Sequence, residues 1–181
     1  MGTIHSPKPV LLLLAVFSAD PAAFDWLRKR AKSQWGELAM ESEPFPFEKF
    51  TDYYAKSMGK TLPKRLWAFE NLISPDALPK IKCVTNDWET EFKSVTDCTA
   101  ERPLNIDPGY IDLGKLILAS TKDHAHRIYL SEGIFAETTL MYTQKQWKPM
   151  PWTYPDYQSV DYQAFLTRCR EYLKTKRDLQ R

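Results

Sequence analysis

The sequence predicts a single α+β domain with a ferredoxin-like β-α-β-β-α-β core, followed by a β-hairpin and a C-terminal helix. The chain has 181 residues, a usual length for one domain, and it is 43% hydrophobic and 27% charged, as globular proteins are. Apolar segments of strand length alternate with two amphipathic helical segments, and a third helical segment ends the chain. We expect residues 1–181 to form one domain, with a flexible N-terminus over 1–8 and a frayed basic tail over 174–181.

The first strand and the first helix have the clearest signals. Val10–Phe17 is a continuous apolar run, which is typical of a central strand covered on both faces. Asp20 followed by proline supplies a helix N-cap, and Gly36 is a natural C-cap. Segments 37–42 and 65–72 predict the next two strands.

The second half of the chain alternates in the same way. Ser74 followed by proline opens the second helix, whose start is delayed or kinked by Pro79. Ser159 caps the last helix. Three further strands are predicted over Lys115–Ser120, Arg127–Leu130 and Ile134–Tyr142, the last two joined by a hairpin turn at 131–133.

Two of these strands predict which side chains share a face, because alternate residues of a strand point the same way. In segment 37–42, Leu38 and Met40 share one face. In the last strand, Glu137 lies on the face opposite a mainly apolar set: Ile134, Ala136, Thr138 and Leu140.

Composition excludes several classes of protein. The net charge of +2 gives no strong attraction to nucleic acid or anionic membranes, although Arg168–Arg181 holds six basic residues against two acids. The apolar run of Val10–Phe17 is too short to span a bilayer. Three cysteines without CxxC spacing favour a reducing compartment, so we expect a cytoplasmic protein without a membrane partner.

Several familiar active-site motifs are absent from the sequence. It contains no GxxxxGK[ST] phosphate loop, no GxGxxG after the first strand and no GxSxG nucleophile motif. It also lacks the two His-x-Thr/Ser motifs of two-histidine phosphoesterases, which share the ferredoxin-like core. These four chemistries are therefore excluded.

The first unusual segment is Asn105-Ile106-Asp107-Pro108-Gly109-Tyr110. On a strand, Asn105 and Asp107 point to the same face, and Pro108-Gly109 suits the centre of a type II turn. Asp107 either accepts backbone hydrogen bonds from that turn or has a functional role.

The second unusual segment is the polar run from Ser120 to Arg127. Its hydroxyls, Lys122 and Arg127 could bind a phosphate or carboxylate, although a charged hairpin tip explains most of the run equally well. His124 and His126 could bind a metal ion with Glu137 or Asp107. The H-x-H spacing alone is too weak a signal, and we assign no metal ligand.

Two more segments remain open between a functional and a structural interpretation. Glu137 has apolar neighbours, so it could act as a general acid or base, or else form an ion pair with Arg127 across the hairpin. Trp152–Tyr157, which contains Tyr154 and Asp156, could stack on a base or sugar, or else pack as the entry to the last helix.

Together these motifs resemble an uncharacterised bacterial and archaeal family, domain-of-unknown-function family 4416, over nearly the whole chain. The residues that carry the resemblance are Thr51-Asp52-Tyr53-Tyr54, Met58-Gly59, Asn105–Tyr110, Ser120–Asp123, His126–Leu130, Gly133-Ile134, Glu137–Leu140 and Thr153–Tyr157. The resemblance implies no established reaction. Some members carry a GTP-binding label, which no phosphate loop supports here. The resemblance includes His126 more firmly than His124.

The sequence thus predicts an uncharacterised protein that binds an anionic small molecule, a nucleotide or phosphorylated metabolite, in a polar pocket. The alternatives are an RNA-binding module that uses the basic last helix, and a non-enzymatic interaction protein. Candidate catalytic residues are His126, Glu137 and Asp107. Candidate ligand-binding residues are Asn105, Thr121, Lys122, Arg127, Tyr154 and Asp156.

Overall fold

The computed structural model describes residues 2–51, 54–59 and 61–179, and it shows an α+β protein with a mostly antiparallel sheet. The strands are β1 (Val10–Phe17), β2 (Leu38–Glu41), β3 (Phe45–Pro46), β4 (Pro63–Ile73), β5 (Asn105–Asp112), β6 (Lys115–Ser120), β7 (Ile128–Ser131), β8 (Ile134–Thr143) and β9 (Gln146–Pro149). The helices are α1 (Pro21–Trp35), α2 (Ala55–Met58), α3 (Leu78–Val95) and α4 (Val160–Leu179).

The strands lie in the order β2-β4-β1-β5-β6-β8-β7, with β3 beside β4 and β9 beside β8. The central position of β1 is confirmed, since all of its residues are at most 2% exposed. One face of β1 packs against α1 and α3, and the other packs against α4. We call these the α1/α3 face and the α4 face.

The predicted start and end of α1 and the predicted start of α4 are confirmed, whereas Ser74 makes no capping side-chain bond and α3 begins at Leu78. Asp20 accepts a hydrogen bond from the N–H of Ala22, and the N–H of Gly36 donates to the last turn of α1. A 3-10 turn over Pro75–Ala77 precedes α3, as the proline near its start suggests. The hydroxyl of Ser159 accepts from an N–H in the first turn of α4.

The shared face predicted for β2 was wrong; the one predicted for β8 was right for Glu137 opposite Ile134 and Ala136 but wrong for Leu140, because each strand contains a β-bulge. The register of β2 against β4 shifts between Leu38 and Met40, so Leu38 packs on the α1/α3 face and Met40 on the α4 face. The register of β8 against β6 shifts after Thr138, so Leu140 packs on the α4 face, opposite to Ile134.

The turn predicted at Pro108-Gly109 was also wrong, because both residues lie inside the continuous strand β5. Pairing of β5 with β1 runs from Asn105 to Ile111, whereas pairing with β6 begins only at Gly109. Pro108 has no N–H to donate, so it cannot continue a ladder. Strands β5 and β6 therefore separate at Pro108.

Two side chains of α3 occupy the resulting gap and bond to β5. Glu89 accepts a hydrogen bond from the N–H of Ile106 at 2.7 Å, and the Lys82 ammonium donates to its carbonyl at 2.9 Å. Both backbone polar groups of Ile106 thus have partners without a neighbouring strand. The separation of β5 from β6 therefore leaves the backbone hydrogen-bonding groups of Ile106 with partners.

The basic last helix is attached to the sheet through its arginines. Arg170 donates to the carbonyl of Leu113, and Arg177 donates to the carbonyl of Pro9 and to Asp112.

Within residues 2–51, 54–59 and 61–179, no helix has the length and apolar composition needed to cross a membrane.

A glycine at position 109 is required by the close approach of β6. A Cβ atom there would lie 2.2 Å from the carbonyl oxygen of Ile117, which is backbone and cannot rotate away. We expect Gly109→Ala to lower the free energy of unfolding by about 3 kcal/mol in urea denaturation. Gly114→Ala is the matched control, because nothing lies within 4 Å of its Cβ position. Equal stability of the two variants would contradict this account of β5 and β6.

Candidate functional site

Polar side chains form a row across one end of the sheet on its α4 face. Asp107 of β5 pairs with Ala15, and Glu137 of β8 pairs with Leu118; both partners pack on the α4 side. Lys64 lies at the equivalent end of β4.

Residues 152–158, which we call the cover segment, lie over this row. The indole N–H of Trp152 donates to the carbonyl of Thr138 at 2.9 Å, and the hydroxyl of Thr153 donates to that of Thr139. These bonds attach the cover segment to the bulged part of β8. The bulge thereby provides carbonyl groups that regular pairing would use within the sheet.

A buried ion pair attaches the cover segment to β4. The Lys64 ammonium donates to Asp156 at 2.7 Å, and the two side chains are 3% and 1% exposed. Four rings surround the ammonium at 4.6–5.7 Å, namely Phe17, Phe47, Tyr157 and Tyr162. Burial, with Asp156 nearby, raises the pKa of Tyr157 well above its ordinary value, so its hydroxyl stays protonated.

Glu137 is the centre of a second polar cluster. It accepts a hydrogen bond from Arg127 Nε at 2.8 Å and one from the Thr139 hydroxyl at 3.2 Å. His126 Nε2 lies 3.1 Å from the same carboxylate. Arg127 Nη1 also donates to the Ser120 hydroxyl at 2.8 Å. The ion pair that the sequence suggested for Glu137 is therefore present, and the carboxylate is fully engaged.

Asp107 differs from the other two carboxylates because solvent reaches it. Its side chain is 35% exposed, against 3% for Glu137 and 1% for Asp156. The Asn105 amide donates to its Oδ2 at 3.0 Å, and the Lys82 ammonium lies 3.6 Å from its Oδ1. Asp107 is thus held in one orientation and still open to a ligand.

Two small cavities meet at Asp107 and Tyr154, which belong to the walls of both. The polar chamber measures about 70 Å³ and is completed by Leu118, Ala119, Ser120, Arg127 and Glu137. The aromatic chamber measures about 90 Å³ and is completed by Phe17, Phe47, Phe50, Thr51, Tyr54, Lys64, Pro155 and Asp156. The polar chamber lies where β5 and β6 separate.

A family model described as Domain of unknown function (DUF4416) matches residues 8–172. The chain belongs to this family. No curated protein and no solved structure matches it. The family match spans both chambers and the cover segment, and its description assigns no activity to them. It agrees with the resemblance found in the sequence, of which Asp52 and Tyr53 lie outside the described residues.

In this DUF4416 chain, most of the candidate residues converge on the chambers. Four line the polar chamber or both chambers: Asp107, Arg127, Glu137 and Tyr154. Asp156 lines the aromatic chamber, and Asn105 lies behind Asp107. The hypothesis from the sequence placed Asp107 and Arg127 in one pocket, and both line the polar chamber, although Arg127 directly precedes β7, which is not a neighbour of β5.

Besides Asn105, three candidates lie outside the chamber walls. His126 contacts Glu137 and stacks on Trp152, with the rings 4.8 Å apart. Lys122 offers its backbone carbonyl to Arg127. Thr121 borders a separate open groove with Arg102, on the α3 side.

The segment from Thr121 to Arg127 is a crossover rather than the tip of a hairpin. Strand β8 lies between β6 and β7, so this segment passes the end of β8 to reach β7. That path brings Arg127 against both Ser120 and Glu137. The rings of His124 and His126 stack at 5.9 Å, and the part of the chain that is described holds no His, Cys, Asp or Glu group suited to a metal ion.

Three functional neighbours were missed from the sequence. Lys64 lies at an inward position of an alternating strand, next to Leu66, which is a detectable but weak signal for a buried lysine. Lys82 and Glu89 lie within the amphipathic helix α3, where charged residues are expected to face solvent. Their role depends on the gap between β5 and β6, and no local sequence pattern predicts that gap.

Two glutamates, Glu89 beside the gap between β5 and β6 and Glu41 at the end of β2, have pKa values shifted in opposite directions. Burial raises the pKa of Glu89, and the lowering effects of Lys82 and Arg102 do not offset it. Burial also raises the pKa of Glu41, but hydrogen bonds from Arg28 and Arg65 outweigh it, so the net pKa is lowered.

These shifts predict opposite pH dependences of stability. The contribution of Glu89 is present below its unfolded pKa and is lost as pH rises through its raised folded pKa. The contribution of Glu41 is present above its unfolded pKa and is lost as pH falls through its lowered folded pKa. Urea unfolding measures the free energy of unfolding of wild type, Glu89→Gln and Glu41→Gln as a function of pH. The difference between wild type and Glu89→Gln should change with pH in the opposite sense to the difference between wild type and Glu41→Gln. Two differences with the same pH trend would contradict the assignment.

Proposed function

We propose that the protein binds a small metabolite with one anionic group in the polar chamber. Arg127 holds the anionic group, and Asp107 accepts a hydrogen bond from a hydroxyl or amine of the same molecule. The observation that carries the proposal is a guanidinium nitrogen without a hydrogen bond, on a side chain that is largely buried. Arg127 is 6% exposed and bonds through Nε and Nη1, whereas its Nη2 has no hydrogen bond within the described residues.

A ligand oxygen would give this donor a partner. Within the described residues, Arg127 Nη2 is not among the fully buried atoms that lack a partner, so water or a ligand oxygen can reach it from the chamber. Guanidinium groups suit carboxylates and phosphates because their N–H groups lie in one plane. The Ser120 hydroxyl, which accepts from Arg127 Nη1, lines the same chamber and adds a second polar contact.

The charges around the chambers favour a ligand with a single negative charge. Three cations and three carboxylates surround them: Lys64, Lys82 and Arg127 with Asp107, Glu137 and Asp156. A polyphosphate would meet these carboxylates at close range and be repelled. The polar chamber, at about 70 Å³, also has room for only about two water molecules, whereas pockets for larger ligands measure several hundred Å³. We therefore favour a small acid over the nucleotide considered from the sequence.

Among the three catalytic candidates, Asp107 is the one placed to exchange a proton with a ligand. Glu137 already accepts from Arg127 and Thr139, so it positions the guanidinium. His126 reaches the site only through Glu137. The proposal concerns binding, and any proton transfer in this chamber would use the Asp107 carboxylate as base.

The other interpretations from the sequence have less support. Arg170 and Arg177 of the basic helix are engaged with the sheet, which leaves fewer cations for RNA phosphates. An interaction protein would need no cavity at Arg127.

For the fold, we propose that β1, β2, β4 and β5 with α1 and α3 form the ferredoxin-like core, which the order β2-β4-β1-β5 supports. In this assignment β5 takes the place predicted for Lys115–Ser120. A cytoplasmic location stays a prediction.

The proposal is tested by thermal denaturation with a panel of small carboxylates and phosphate monoesters. We expect at least one acid to raise the Tm of the wild type. Asp107→Asn should weaken its binding about tenfold or more, since the negative charge that strengthens the hydrogen bond is lost. Asp112→Asn is the matched control, because this aspartate lies on the same strand, is 33% exposed and also faces a cation. The proposal fails if no compound raises the Tm, or if both variants bind equally well.

A further inference from the structure

The aromatic chamber indicates what else the ligand carries besides its anionic group. We infer that the occupant is a monocyclic aromatic acid with a hydroxyl or amino group between ring and carboxylate, an inference that rests on the function proposed above. The ring lies in the aromatic chamber, the carboxylate lies at Arg127, and the hydroxyl or amine donates to Asp107.

The walls of the aromatic chamber are suited to a ring. Phe17 packs against Phe47 at 4.8 Å with a 42° tilt, and against Tyr54 at 5.3 Å nearly edge-on. Tilted and edge-to-face contacts are the favoured arrangements of aromatic rings, and a further ring extends such a cluster in the same geometry. Phe50, which is half-buried, adds a wall that faces the chamber.

The charge in this chamber favours an aromatic over an aliphatic group. The Lys64 ammonium lines the chamber and already lies 4.6 Å from the ring of Phe47. The ammonium forms an ion pair with Asp156 and still lies beside several rings, because a cation can interact with more than one ring at once. An aliphatic side chain would offer no such electron density.

The size of the chambers limits the ligand to one ring. The aromatic chamber, at about 90 Å³, is smaller than the roughly 150 Å³ cavity that is known to hold benzene, so a single ring fills it and extends past its mouth, and the polar chamber, at about 70 Å³, takes only the carboxylate. Tyr154, which borders both chambers, is 57% exposed, so the ligand is partly open to solvent at this side. A nucleobase with its ribose would exceed this space.

Asp107 fixes the chemistry of the atoms that join the ring to the acid. It belongs to the walls of both chambers, so the linking atoms of the ligand pass its carboxylate. An ionised carboxylate only accepts hydrogen bonds. A linking hydroxyl or amine satisfies it, whereas a plain hydrocarbon link would leave a partly desolvated charge without that bond.

The test is isothermal titration of the wild type with three probes that differ by one group each. Phenyllactate has ring, hydroxyl and carboxylate; 3-phenylpropanoate lacks the hydroxyl; lactate lacks the ring. We expect phenyllactate to bind about tenfold or more tightly than either of the others, from the buried ring and from the bond to Asp107.

Two variants assign the ring to its chamber. Phe50→Leu should remove most of the advantage of phenyllactate over lactate. Phe45→Leu is the matched control, because Phe45 is also half-buried in the same connection but packs on Tyr162 at 4.0 Å instead of lining the chamber. Equal loss in the two variants would overturn the inference.

The outcomes also separate this inference from the proposed function. If lactate binds as tightly as phenyllactate and both lose affinity in Asp107→Asn, the aromatic class is wrong and the small-acid site stands. If none of the three probes binds while another acid of the thermal panel does, the inference is again overturned and the proposed function is retained. If no acid of either set binds, both are overturned.

Discussion

Pro108 has no amide hydrogen, and the arrangement of the candidate site follows from that constraint. Strand β5 pairs with β1 along its length but with β6 only from Gly109 onward, so the sheet divides at this point. Lys82 and Glu89 of α3 bond to the carbonyl and the N–H of Ile106, which β6 leaves unpaired, and keep the division stable. Without it, neither the polar chamber nor the exposure of Asp107 would exist.

The charged groups around this division are paired so that few of them remain for a ligand. Two buried ion pairs, Lys64 with Asp156 and Arg127 with Glu137, hold the cover segment and the crossover against the sheet. Buried pairs add little net stability, but removing one partner is costly, so they specify a single arrangement. Among the described chamber residues, the Asp107 carboxylate is open to solvent and Arg127 Nη2 has no hydrogen bond, which is enough to orient a small acid; Asp156 Oδ1 also lacks a partner but is buried.

The sequence predicted features that depend on local chemistry and missed those that depend on distant partners. The caps at Asp20 and Ser159 and the buried β1 were confirmed, because capping residues and apolar runs act within a few residues. Leu140 was placed on the wrong face, since one bulge reverses the alternation after it. At the site, the pairing of Arg127 with Glu137 was predictable from the hairpin, whereas Lys64 meets Asp156 across 92 residues of chain.

The most direct test of the divided sheet is an NMR titration of the Ile106 amide proton. This N–H donates to the Glu89 carboxylate, whose pKa is raised by burial, so its chemical shift should change with pH at a midpoint above the ordinary glutamate value. The amide of Gly109, which lies where β5 is paired on both sides, should not follow that midpoint. An Ile106 amide whose shift stays constant while Glu89 titrates would show that another strand holds it, and would contradict the division of the sheet.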